Sequence, residues 1–220
     1  MIIDLDKVIL VMELVGAAVF AVSGAALGMK KNMDIFGICI LGLSTAVGGG
    51  VIRDIILGDC PPAMFTDPKY AVVGLITCIL LFVPNMRRRI LNMDSLMLLA
   101  DSFGLGIFTA TGTLKAIQVD DANMFLAVFI GVITGVGGGL LRDMMASVPP
   151  YIFTKHIYAM ASVVGAATMY LLYQVSDVYT ATFASVVITS GIRVLASTFD
   201  WNLPKIGIDD DKNSTGKKTK

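Results

Sequence analysis

The stretches TAVGGGVIRD, Thr45 to Asp54, and TGVGGGLLRD, Thr134 to Asp143, decide how the rest of the chain is read. Each sets three consecutive glycines and an Arg-Asp pair inside an apolar run long enough to cross a bilayer, where glycine weakens a helix and charge is expensive. Lipid-facing filler needs neither. Their recurrence 89 positions apart indicates a chain built twice, with the centre of each copy closely packed or broken on purpose.

The surrounding composition agrees. Of 220 residues, 55% are hydrophobic and 15% charged, and the mean hydropathy is +0.78, which is that of an integral membrane protein and not of a soluble domain. The 17 basic and 17 acidic residues cancel, so no global basic field argues for nucleic acid as a partner. Cys39, Cys60 and Cys78 have no CxxC spacing and His156 is the single histidine, so neither a metal site nor a disulfide framework is supported. The run Val8 to Val22 is followed by small residues, as in a signal peptide. Asp4 and Asp6 against Lys7 make a poor positive leader, however, and the segment has a counterpart later in the chain, so it is read as a membrane helix.

A spanning helix needs about 20 mostly apolar residues. That ruler predicts seven, at roughly 8–29, 35–57, 69–86, 95–115, 123–146, 156–174 and 178–199. Pro61-Pro62 and Pro149-Pro150 each end a glycine-bearing segment. The fourth span laid on the first at an offset of 88 matches Glu13, Gly16, Phe20, Ser23 and Gly24 with Asp101, Gly104, Phe108, Thr111 and Gly112. The fifth matches the second through the glycine stretch, and the paired prolines, Phe65, Tyr70 and Ala71 then meet Phe153, Tyr158 and Ala159 behind their own prolines. Three spans is an odd number, so the second unit enters from the opposite face. The expected fold is all-α: a seven-helix membrane domain over residues 1–205, with inverted repeats at about 8–86 and 95–174, a seventh helix at 178–199, and a polar, disordered cytoplasmic tail at 206–220. Lys30, Lys31, Arg87 to Arg89, Arg142, Lys155, Arg193 and Lys205 fall on one side, against Lys7, Arg53, Lys69 and Lys115 on the other, nine to four. This places the amino terminus outside and the carboxyl terminus in the cytoplasm. Arg87 to Arg89 serve as a topology anchor, and such clusters also bind anionic lipid heads.

Gly48, Gly49 and Gly50, with Gly137, Gly138 and Gly139, have two readings. Single glycines such as Gly16, Gly24, Gly104 and Gly112 suit close helix packing. Three in a row exceed one packing face, because consecutive residues point in different directions, and a kink or unwound turn offering carbonyls to a permeating cation is favoured. Arg53-Asp54 and Arg142-Asp143 lie about 6 Å beyond the middle glycine, still inside the hydrocarbon, and face protein or water. Sequence neighbours diverge by about 100° and are expected to pair poorly. Matching by depth instead pairs Glu13 with Arg53 at the outer mouth and Asp101 with Arg142 at the inner one, as structural locks or as gating charges. Ser44, Thr45 and Thr134 are candidate pore hydroxyls, although such residues more often bond back to their own helix. Lys115 and Arg193 are ambiguous: Lys115 can snorkel outward, and Arg193 can do the same or meet an acidic partner. No nucleophile-base pairing stands out, so no catalytic residue is assigned and the chain is not read as an enzyme.

With two copies of GGGxxRD followed by paired prolines, and a seventh span ending near Arg193 and Trp201 to Pro204, the chain resembles prokaryotic members of the trimeric intracellular cation (TRIC) channel family. Bacterial relatives also carry the label of glycine transporters. The resemblance implies a homotrimer with one pore per subunit, lined by the kinked second and fifth helices, passing monovalent cations and chiefly potassium, with membrane lipid as its surroundings and no cofactor. It maps the family's kink glycines onto the two triplets, and its motif charges onto Arg53, Asp54, Arg142 and Asp143. Animal members serve the endoplasmic or sarcoplasmic reticulum. No organelle signal is evident here, so a bacterial plasma membrane is expected, and the short tail does not carry over regulation by calcium or phosphoinositide. The alternative is a secondary transporter of glycine or a similar zwitterion, since broken helices in inverted repeats bind carboxylates at half-helix amino ends.

Overall fold

A computed structural model describes residues 5–86, 94–154, 157–199 and 201. Arg87 to Arg89, Lys155, His156, Lys205 and the 206–220 tail lie outside the described residues. Among the described residues, seven helices carry the bundle: α1 Leu5–Lys30, α2 Ile35–Leu57, α3 Lys69–Leu80, α4 Asp94–Ile117, α5 Met124–Met145, α6 Ile157–Tyr173 and α7 Val178–Thr198. One-turn helices, Ala63–Thr66 and Tyr151–Thr154, follow the paired prolines. Among the described residues there is no strand.

Five of these helices, α1, α2, α4, α5 and α7, are long and apolar enough to cross a membrane, and the chain is a multi-pass membrane protein. α3 and α6 are shorter, at 12 and 17 residues. The third helix stops at Leu80 and not at 86 as expected. Pro84 explains this, because its ring collides with the carbonyl four residues back, which is that of Leu80. The helix starts are written locally. Asp34, Asn123 and Asp177 cap α2, α5 and α7 by accepting the amide protons of Gly37, Leu126 and Thr180. Gly58, at φ 74°, closes α2 in the left-handed region.

α1 packs on α2, α3 and α4; α5 packs on α2, α4 and α6; α7 packs on α4 and α6. The seams are made by small residues. Ala17, Ala21 and Ala25 recur every fourth position on α1 and are buried, which brings α2 close. Phe20 of α1 and Phe108 of α4 stack with centroids 5.2 Å apart. Gly16 faces Phe108 and Gly104 faces Phe20, so each ring occupies the room left by the other helix's missing side chain.

The Asp177 carboxyl is held below the usual carboxylate range by the Thr180 amide and hydroxyl that it accepts. A depressed folded value means that its contribution is present above the unfolded carboxylate range and is lost as pH falls through the folded one. Asp177→Ala is therefore expected to lower the thermal midpoint at neutral pH. The gap from wild type should close in strong acid, as followed by circular dichroism in detergent.

Candidate functional site

Two charged clusters sit on either side of the contact between the glycine stretches of α2 and α5. In the first, Glu13 Oε1 accepts from Arg53 Nη1 at 2.7 Å and Glu13 Oε2 accepts from Tyr70 Oη at 2.7 Å. Arg53 Nε donates to Asp54 Oδ1 at 2.8 Å. Lys115, near the end of α4, donates to Asp54 at 2.8 Å and to Asp59 at 2.5 Å. In the second, Arg142 Nη1 donates to Asp101 Oδ1 and to Ser23 Oγ, each at 2.5 Å, and Nε donates to Asp143 Oδ1 at 2.8 Å. Ser23 lies ten residues from Glu13 along α1, so the clusters are separated by about 15 Å of helix.

Both cross-helix pairs expected from depth, Glu13 with Arg53 and Asp101 with Arg142, are present. The expectation that neighbouring Arg and Asp pair poorly is overturned. Each arginine turns Nε toward the aspartate beside it and Nη1 toward the other helix, and the planar guanidinium fork bridges two carboxylates at once. Each aspartate also ties down the loop behind it. Asp54 accepts from the amide of Ala63 and Asp143 from the amide of Tyr151, each the first residue after a proline pair and the first of a one-turn helix. Sequence reasoning missed this tie, which the motif spacing alone does not specify. Lys115 does not snorkel away; it belongs to the first cluster. Arg193 is shut off from solvent and, among the described residues, makes no ion pair. It is 3% exposed and lies over the rings of Tyr158 and Tyr151, at 5.0 and 5.8 Å from their centroids.

Between the clusters, α2 and α5 cross at the glycines. Both run as unbroken α-helix through their triplets, so of the expected kink or unwound turn the unwound turn is corrected. A Cβ on Gly49 would fall on the Thr134 carbonyl oxygen, and one on Gly138 on the Thr45 carbonyl oxygen. The triplets provide backbone-to-backbone contact. Gly48 and Gly137 serve the same crossing against Leu141 and Gly49, Gly50 faces a cavity, and Gly139 faces Tyr158. Thr45 and Thr134 donate to the carbonyls of Leu41 and Ile130 on their own helices, each at 2.6 Å. Their hydroxyls fit under Gly24 of α1 and Gly112 of α4, where a Cβ would stand 2.5 Å away. Ser44 is half-buried on α2, apart from both clusters.

The ends differ in their access to solvent. A small cavity of about 20 Å³ reaches Gly50 along Glu13, Arg53, Tyr70 and Phe108. A second, more polar cavity shares Glu13, Arg53, Ala63 and Tyr70 and continues past Thr111 and Lys115 to Gln118. Together they make a vestibule that runs from the end of α4 to the glycine crossing. The second cluster is sealed: Arg142 and Asp101 are both 0% exposed.

A family model described as Glycine transporter matches residues 10–85 and again 98–174. The inner membrane protein YadS of Escherichia coli K12 is 40% identical over 203 residues, 91% of this chain and 97% of its own length. The membrane protein YvgT of Bacillus subtilis is 32% identical over 196 residues, 88% and 94% of the two chains. Among solved structures, a TRIC cation channel studied for the basis of its conductance superposes with TM-score 0.82 at 34% identity, covering 90% of this chain and 97% of its own. The TRIC orthologue from Rhodobacter sphaeroides gives 0.79 at 31% identity, covering 89% and 100%. A prokaryotic TRIC channel crystallised in 0.5 M KCl gives 0.84 at 27% identity, covering 90% and 100%.

Proposed function

The chain belongs to the prokaryotic TRIC family, whose bacterial members the glycine-transporter model also describes, and from that membership we propose that it is a cation channel. Its permeant ions are monovalent and chiefly potassium, and it works as a homotrimer with one pore per subunit in a bacterial plasma membrane. The observation that carries the reading is the vestibule, two adjoining cavities lined by Glu13, Arg53 and Lys115 and reaching Gly50 at the crossing of α2 and α5. Beyond the crossing, the same helices hold the sealed Arg142 cluster. A path along this axis narrows at a backbone contact flanked by two charge locks, and small shifts of α2 against α5 open or shut it.

Seven spans and inverted repeats complete the proposal. The reciprocal contacts of Phe20 with Phe108, Gly49 with Thr134 and Gly138 with Thr45 support it, because residues at matching positions of two copies meet around an axis between them. On this reading the vestibule opens outward with the amino terminus, and the carboxyl terminus is cytoplasmic.

The deciding experiment is single-channel recording in a planar bilayer under a potassium chloride gradient, with glycine uptake into proteoliposomes in parallel. Discrete currents reversing toward the potassium equilibrium potential are expected. A silent bilayer with saturable glycine uptake would replace the channel by a transporter, in which Glu13, Arg53 and Lys115 hold a zwitterion.

Lys115 supplies a graded test, since it is 29% exposed at its side chain and places a positive charge beside the entry. Lys115→Met is expected to raise potassium conductance about twofold at low salt by increasing the local cation concentration. The gain should vanish near 1 M salt, where the screening length falls to about 3 Å. A conductance change that ignores ionic strength would count against an electrostatic vestibule.

A further inference from the structure

The carboxylates that stand near the two tyrosines differ by one methylene, and three polar atoms beside the shorter one lack a direct partner. In the first cluster Tyr70 donates directly to Glu13 Oε2. Tyr158 holds the matching place in the second, opposite Asp101, whose carboxylate is shorter by about 1.5 Å. There the Tyr158 hydroxyl, Asp101 Oδ2 and Arg142 Nη2 are all buried and have no hydrogen-bond partner among the described residues. The Tyr158 hydroxyl, the Asp101 carboxylate and Arg142 Nη2 border Gly139, where a Cβ would stand 2.7 Å from the hydroxyl, 3.6 Å from Asp101 Oδ1 and 3.7 Å from Arg142 Nη2. Leaving each buried polar atom unpaired costs about 1–3 kcal/mol, so a partner is strongly favoured.

We propose that one buried water molecule is bound between Asp101, Arg142 and Tyr158, and makes through itself the bond that Glu13 and Tyr70 make directly. It accepts from Arg142 Nη2, donates to Asp101 Oδ2 and pairs with the Tyr158 hydroxyl, which meets the two to four polar partners that a buried water needs. The ligand is neutral. The guanidinium groups of Arg142 and Arg193 beside it repel a cation, and the carboxylates of Asp101 and Asp143 repel an anion. Bridging waters are nearly as favourable as direct bonds, so the inner lock is complete but hydrated, whereas the outer one is direct. The assignment does not depend on what the protein conducts.

Radiolytic hydroxyl-radical labelling of the purified protein in detergent tests it, because radicals formed from a bound water mark the side chains around it. Tyr158 is expected to label about tenfold faster than the equally buried Phe20. In Asp101→Glu the longer carboxylate meets Tyr158 directly, and the rate should drop to that of Phe20. Labelling of Tyr158 as slow as Phe20 in wild type, or unchanged in Asp101→Glu, would overturn the site. Should that variant not fold, a wild-type crystal structure with ordered waters decides. A peak bonded to all three atoms supports the water; an empty site or a peak held by oxygens alone overturns it.

Discussion

Arg142→Met is expected to cost about 3–5 kcal/mol of stability, the range for breaking a buried ion pair from one side. The variant should accumulate poorly in membranes and unfold at a much lower temperature in detergent. The loss has a specific origin. Removing the guanidinium strips Asp101 of its ion-pair partner and takes the side-chain donor from Asp143, which keeps the Tyr151 amide, and both carboxylates are shut off from water. Arg53→Met removes the equivalent group with a smaller effect, about 1–3 kcal/mol. There Glu13 keeps Tyr70, Asp54 keeps Lys115 and the Ala63 amide, and the vestibule supplies water. Adding Asp101→Asn to Arg142→Met should restore part of the loss, giving a coupling well outside additivity. Equal losses at the two arginines, or additive effects at 101 and 142, would mean that the two ends are not wet and dry as described.

How much of this could be read from the sequence depended on whether depth or contact was asked for. Depth needs only the rise per residue and the span limits, which is why Glu13 with Arg53 and Asp101 with Arg142 were legible. The adjacent Arg-Asp bonds were not, because a rule based on directions around a helix ignores the reach of arginine, whose Nε and Nη1 serve different partners. Tyr70 and Tyr158 stood in the repeat alignment as matched positions. Nothing in the pattern said that one meets a carboxylate while the other stands near a shorter one. Lys115 and Arg193 stayed ambiguous for a related reason, since snorkelling is what a cation near a helix end does without a partner, and their neighbours come from α2 with the loop after it and from the rings behind the second proline pair. The aspartates' hold on Ala63 and Tyr151 depends on a turn geometry that one sequence does not reveal.

The glycine triplets bring out the difference between an unwound helix and a crossed one, and single alanines separate the two. Gly49→Ala is expected to cost about 3 kcal/mol or more, because its methyl group would enter the Thr134 carbonyl oxygen and backbone cannot step aside as a side chain does. Gly138→Ala should match it through the Thr45 carbonyl. Gly50→Ala, one position along the same helix, meets nothing closer than the Arg53 guanidinium at 3.9 Å. It is expected to be tolerated, or to stabilise by about 0.5–1 kcal/mol as alanine replaces glycine inside a helix. Thermal unfolding of the three variants in one detergent checks the order. Were the triplet an unwound turn, Gly50 would be as sensitive as Gly49, since both would need backbone angles that alanine disfavours. A sharp contrast between adjacent residues follows only from a crossing, where one glycine faces the partner backbone and the next faces the cavity. Tolerance at Gly50 also leaves a methyl group in the vestibule wall. Its effect on potassium current, measured in a protein of unimpaired stability, then reports whether ions pass that point.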